Sequence, residues 1–186
     1  MDRTNNTNSS FYSPEDLRNI LRQLWNQYSV WIRFYIVSRM ADLDDLEVLT
    51  NRLFEVPIDL YNVFRIYYGN NSAQEFENLL RDQITLTIQI IDEINTEQSI
   101  DTTESNWKAN ADQISLFLSQ LNPYWNMQVL QNLFYNHLDM TIYEAQKRKY
   151  KQYAADVYEY NFIEYHTLMI ADYIWNGIIN QFYSNQ

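Results

Sequence analysis

The chain has 186 residues, 24 acidic and 13 basic side chains, a formal charge of -11, two glycines, three prolines and no cysteine. That length suits one domain; the charge repels polyanions and excludes nucleic-acid binding through phosphate neutralisation, and the lack of cysteine excludes disulfides, thiolate nucleophiles and cysteine zinc sites. So few glycines and prolines argue for helices joined by polar loops, hence an all-α single-domain bundle with four principal helices, short connecting helices and a ferritin-like up-down arrangement as the candidate topology.

Residues 1–12 are expected to form a flexible tail, because the Asn-, Ser- and Thr-rich run from Asp2 to Ser10 cannot bury enough apolar area to offset ordering. Residues 13–186 are the expected bundle. Ser13-Pro14-Glu15-Asp16 supplies an N-cap, a proline at the first helical position and two acids facing the positive helix end. The helix it opens carries Leu17, Leu21, Leu24, Tyr28, Trp31 and Tyr35 on one seam and runs to about Met40. After a break at Asp42–Asp45, Leu46 to Phe54 forms a short helix that ends before Pro57. Pro57 opens another, bearing Leu60, Phe64 and Tyr67, with Gly69 at its left-handed C-terminal position. Ser72 and Glu75 fit a capping box for a long helix whose seam reads Phe76, Leu80, Gln83, Thr87, Ile90 and Ile94.

A polar loop from Thr96 to Thr103 precedes a helix with Trp107, Ile114, Phe117 and Leu118 that stops near Asn122-Pro123. A short segment spans Met127 to Leu138, and Thr141 with Glu144 forms a second capping box. From there to Phe182 one unbroken helix is predicted, its seam passing through Tyr150, Ala154, Val157, Leu168, Ala171, Trp175, Ile178 and Phe182. Asn161 and Glu164 interrupt that seam.

Helical register turns five polar side chains toward the interior: Tyr28, Gln83, His137, Asn161 and Glu164. A buried Glu164 requires partners. The expectation is a structural polar network, with a divalent metal or small ligand held by these five residues as the alternative. His137 and Glu164 are two good ligands where zinc takes about four. No Glu-x-x-His pair of the di-iron type is present, since Phe134 and Ile163 stand three residues before His137 and His166. His166 is expected to face solvent, and Lys147–Lys151 to be a solvated basic face. The two glycines, Gly69 and Gly177, lie too far apart for a phosphate loop.

The runs Leu24-Trp25-Asn26-Gln27-Tyr28, Thr50-Asn51-Arg52-Leu53, Asn110-Ala111-Asp112, Asn122-Pro123-Tyr124-Trp125, Asn136-His137-Leu138 and Ala171-Asp172-Tyr173 resemble, in order from about Leu17 to Phe182, a family of small uncharacterised helical proteins from Firmicutes. Some members carry the label acetylglutamate kinase; amino-acid kinases are larger α/β proteins with glycine-rich nucleotide loops, which this sequence lacks. In the family pattern histidine stands at the positions of Tyr28 and Gln83, beside the histidine matching His137 and an aspartate matching Asn161. The resemblance thus implies an interior metal cluster, altered here at three of those four positions. The functional expectation is a non-enzymatic protein of the bacterial cytoplasm. It would interact with a protein partner or with itself, with no nucleic acid and no membrane span.

Overall fold

The structure, a computed structural model, describes residues 11–184. Among them are six helices and no strand: α1 (Pro14–Met40), α2 (Leu46–Leu53), α3 (Val56–Asn95), α4 (Asp101–Leu121), α5 (Met127–Lys149) and α6 (Tyr153–Phe182). The chain folds as an all-α bundle, and none of these helices is long and apolar enough to cross a membrane.

Local chemistry sets the ends. Ser13 caps α1 by accepting from the Asp16 amide at 3.1 Å, with Pro14 at the first helical position. Asn126 caps α5 in the same way through the Val129 amide. Gly69 takes φ 77° inside α3, where a kink divides the helix into two halves. The second half restarts directly after Gly69, so Ser72 is already helical and the box over Ser72 and Glu75 does not open it.

Three helices end in Schellman motifs that use a residue other than glycine. Asp42, Glu97 and Lys151 adopt φ 53°, 57° and 59°. Each amide bonds the carbonyl three residues back and each following amide the carbonyl five back, as in Lys151 N to Arg148 O and Gln152 N to Lys147 O. The last of these motifs corrects the sequence expectation of one helix from Thr141 to Phe182: the chain breaks at 150–152 and α6 begins afresh. Thr141 and Glu144 do not form a capping box either. Both lie inside α5, where the Thr141 hydroxyl donates to the His137 carbonyl at 2.8 Å and Glu144 is buried.

Side-chain pairings give the helix directions. Arg18 meets Asp172 and Arg33 meets Asp156, so α1 and α6 run antiparallel. Trp25 packs on Phe134 and Tyr28 on His137, so α1 and α5 run parallel. Tyr35 donates to Asp92 on the second half of α3, Trp107 of α4 donates back to Thr87, and Gln131 of α5 donates to Asp112 of α4. The five long helices thus enclose one core built on Leu17, Leu21, Phe64, Phe76, Ile84, Trp107, Ile114 and Ile174. Each such buried side chain stabilises by about 1.5–3 kcal/mol.

Phe11 stacks on Tyr67 at 4.9 Å, and the Tyr12 carbonyl accepts from the Tyr183 hydroxyl at 2.5 Å. Of the expected tail over 1–12, Phe11 thus meets α3 and its ring also meets Phe182, while the Tyr12 backbone is held by Tyr183. The first ten residues of that tail lie outside the described residues.

Candidate functional site

Three of the five polar residues expected inside do meet. Tyr28, Gln83 and His137 line one enclosed cavity of about 10 Å³ with Trp25, Leu80, Phe134 and Ile170. They come from α1, the second half of α3 and α5, each presented by an apolar seam that places it one turn from a buried Leu, Ile or Phe. The cavity chemistry is neutral. Burial, with a smaller push from His166, lowers the His137 imidazole to a pKa of about 3. Burial also raises the Tyr28 phenol to about 12, opposed by a hydrogen bond with the Thr87 hydroxyl.

Asn161 and Glu164 do not join them. Both are exposed on α6, which corrects their expected interior position. The cause is the break at Lys151: the seam continued from Tyr150 and Val157 is about one residue, or roughly 100°, out of phase with the buried face. The buried face runs through Asp156, Ile163, Thr167, Ile170, Ala171, Ile174 and Ile178. Val157 is 55% exposed and Tyr150 64%. The same rotation brings His166 inside, against the expectation of a solvent-facing ring. Its Nε2 lies 2.8 Å from the Leu133 carbonyl, and its ring lies nearly parallel to His137 with centroids 6.2 Å apart.

Among the described residues no group of three or more His, Asp or Glu side chains is placed to hold a metal ion. The metal set of His137, Glu164, Asn161, Gln83 and Tyr28 is not assembled. The interior half also fits a cation poorly, because Tyr28 is held protonated and the indole of Trp25, which lines the same space, offers an N–H donor and no lone pair.

A second polar centre carries no signal in helical periodicity. Arg33 Nη1 donates to Glu144 and, at 2.8 Å, to Asp156 Oδ1; Arg148 reaches Asp156 Oδ2 at 3.2 Å. Both acids are essentially fully buried, and Arg33 lies over the Tyr160 ring at 4.6 Å. Burial raises the Glu144 carboxyl to a pKa of about 7, with Arg33 working against it. This network ties the start of α6 to α1 and α5. In sequence Asp156 is one acid within a predicted continuous helix and Glu144 half of a cap, so only their pairing with Arg33 across 111 and 123 residues reveals them.

The outward side of α6 is exposed. Tyr153, Val157, Tyr158, Phe162, Tyr165 and Met169 are each between 44% and 67% exposed. The Tyr158 and Phe162 rings meet edge to face at 5.1 Å. Spacings of three and four join Tyr158, Phe162, Tyr165 and Met169 into one aromatic strip, with Tyr153 and Val157 on its flank. Between α6 and α1 lies an apolar cleft of about 240 Å³ lined by Val30, Arg33, Phe34, Val37 and Tyr160.

Fold and site together define a helical bundle with a closed interior cavity lined by neutral groups and an open aromatic face. Comparison with family models, curated proteins and solved structures finds no match to this chain, so the functional reading rests on that chemistry.

Proposed function

We propose that this chain is a non-enzymatic association module and that the outward face of α6 pairs with the same face of a second copy. The observation that supports this is the aromatic strip. With ~200 Å² for a whole aromatic side chain, its fractional exposures together with those of the flanking Tyr153 and Val157 amount to about 600–700 Å² of largely apolar surface. The largest patch on an ordinary monomer is about 300–600 Å². A standard interface takes about 800 Å² from each partner, a value the strip approaches once Phe34, 49% exposed, is added.

Register favours a second copy as the occupant. A two-fold axis crossing α6 between Ile163 and Glu164 sets opposite each other residues equally distant from it. That register pairs Tyr158 with Met169 and Phe162 with Tyr165 of the other copy, all four on the outward side of α6.

Sedimentation of the full chain across the micromolar range tests this. A dimer is expected, weakened about tenfold by Phe162→Glu, equivalent to ~1.4 kcal/mol, with the far-ultraviolet circular dichroism unchanged. A chain that stays monomeric refutes self-pairing. Monomers that co-sediment with neutral phosphatidylcholine vesicles would assign the strip to a lipid surface instead.

A further inference from the structure

The cavity between α1, α3 and α5 concentrates buried polar atoms that have no partner within the protein. Trp25 Nε1, Gln83 Oε1 and His137 Nδ1 are all of this kind, and all three residues line the same enclosed space. Trp25, Gln83 and His137 are 2%, 2% and 4% exposed. Leaving one such group unpaired costs about 1–3 kcal/mol, so three around one void would remove a large part of a domain's net stability of about 5–15 kcal/mol.

Size and chemistry of the void select what resolves this. A cavity of about 10 Å³ is at the threshold of ~10–15 Å³ that admits one water molecule, and it excludes any larger organic ligand. The indole N–H is only a donor and the Gln83 oxygen only an acceptor. A bare cation would face the N–H dipole, and an anion would face the amide oxygen. A neutral molecule that both donates and accepts satisfies all three atoms, with His137 Nδ1 in either tautomer. Leu80, Phe134 and Ile170 add apolar walls that offer no competing hydrogen-bond partner, and Tyr28 completes the lining.

We propose that this cavity is a built site for a single ordered water, which accepts from Trp25 Nε1, bonds Gln83 Oε1 and His137 Nδ1, and thereby locks the relative register of three helices. Removing any one of its three partners leaves it two bonds, the lower end of the range for a buried water.

Two measurements on the full chain decide this. In a crystal structure, one peak is expected about 2.7–3.2 Å from each of the three atoms, without anomalous signal. In solution, ¹⁵N-labelled protein is expected to show a cross-relaxation peak between the Trp25 indole N–H and water, lost in Gln83→Leu while the other indole signals persist. If Gln83→Leu does not fold, the wild-type peak alone decides. A dry cavity with no indole-to-water peak overturns the proposal. So does an anomalous scatterer about 2.0–2.2 Å from His137.

Discussion

Replacing Gly177 by alanine adds one methyl group to the middle of α6, a change that ordinarily stabilises a helix by about 1 kcal/mol. Here the opposite is expected. A Cβ at this position would lie 1.9 Å from Trp125 Nε1 and 2.4 Å and 2.6 Å from Cδ1 and Cε2 of the same ring. The ring would have to retreat by roughly 1.5 Å to restore ordinary van der Waals contact at about 3.5 Å. It has little room to do so, being 2% exposed and packed against Phe64 and Tyr68. Overpacking of a filled core costs about 1–3 kcal/mol, more where the neighbour cannot move. After the helix-propensity gain, a net loss of up to about 2 kcal/mol remains, or a fall in Tm of up to roughly 8 °C for a chain of this size. Urea titration with far-ultraviolet circular dichroism measures it. Trp125→Phe removes the clashing pyrrole edge, so the two substitutions should be non-additive, the double variant being more stable than the sum of single losses predicts. A Gly177→Ala protein more stable than wild type would refute this account of the close approach.

Thr87→Val keeps the shape of the side chain but removes the oxygen that accepts from Trp107 Nε1 at 2.8 Å. A loss of about 1–3 kcal/mol is expected by denaturant titration, and most of it should vanish in a Trp107→Phe background. Stability against pH should also expose the core histidine. Its folded pKa of about 3 lies below the unfolded 6.5, so the unfolded chain binds more protons between those values. The contribution is complete above pH 6.5 and is lost as pH falls toward 3, by up to about 1.4 kcal/mol per unit. Glu144, raised from 4.5 to about 7, has the opposite sign and loses stability as pH rises through that window. The two offset one another between pH 4.5 and 6.5. His137→Phe should therefore flatten the wild-type slope between pH 3 and 4.5 and leave a decline with rising pH above 4.5; an unchanged difference across both windows would contradict the assignment.

The parts of the fold legible in the sequence are those where one helical face is apolar and the other is not. The seams of α1, the second half of α3 and α4 follow the expected spacing, with Leu17, Leu21, Leu24 and Tyr28, then Phe76, Leu80, Gln83, Thr87, Ile90 and Ile94, and Trp107, Ile114 and Leu118 all buried. The meeting of Tyr28, Gln83 and His137 follows from those seams. What sequence periodicity does not mark is a helix end made without glycine. Asp42 and Glu97 sit in polar runs that announce a break anyway, whereas Lys151 follows Tyr150 in a stretch whose alternation of basic and aromatic residues reads as continuous helix. Nor does periodicity register an ion pair that spans more than a hundred residues, such as Arg33 with Glu144 and Asp156.

The phase error on α6 and the proposed association share a physical cause. A helix with apolar side chains all round must bury more than one face. On α6 the inward face is Ile, Ala, Gly and Thr, small enough to approach α1 and α5 closely, and the outward face is Tyr, Phe, Val and Met. With apolar side chains on every side, periodicity alone runs the seam through Tyr150 and Val157, between the buried row and the aromatic strip. The buried Asp156 anchor decides otherwise: Arg33 and Arg148 hold its carboxylate inward, and rotating α6 by 100° to bury Val157 would strand that charge and expose the Ile163–Ile170–Ile174 face. A buried ion pair whose breaking costs about 3–5 kcal/mol thus fixes the rotation of α6 and leaves the aromatic strip outside. A second copy of the chain, carrying the same strip, can cover it without disturbing that anchor.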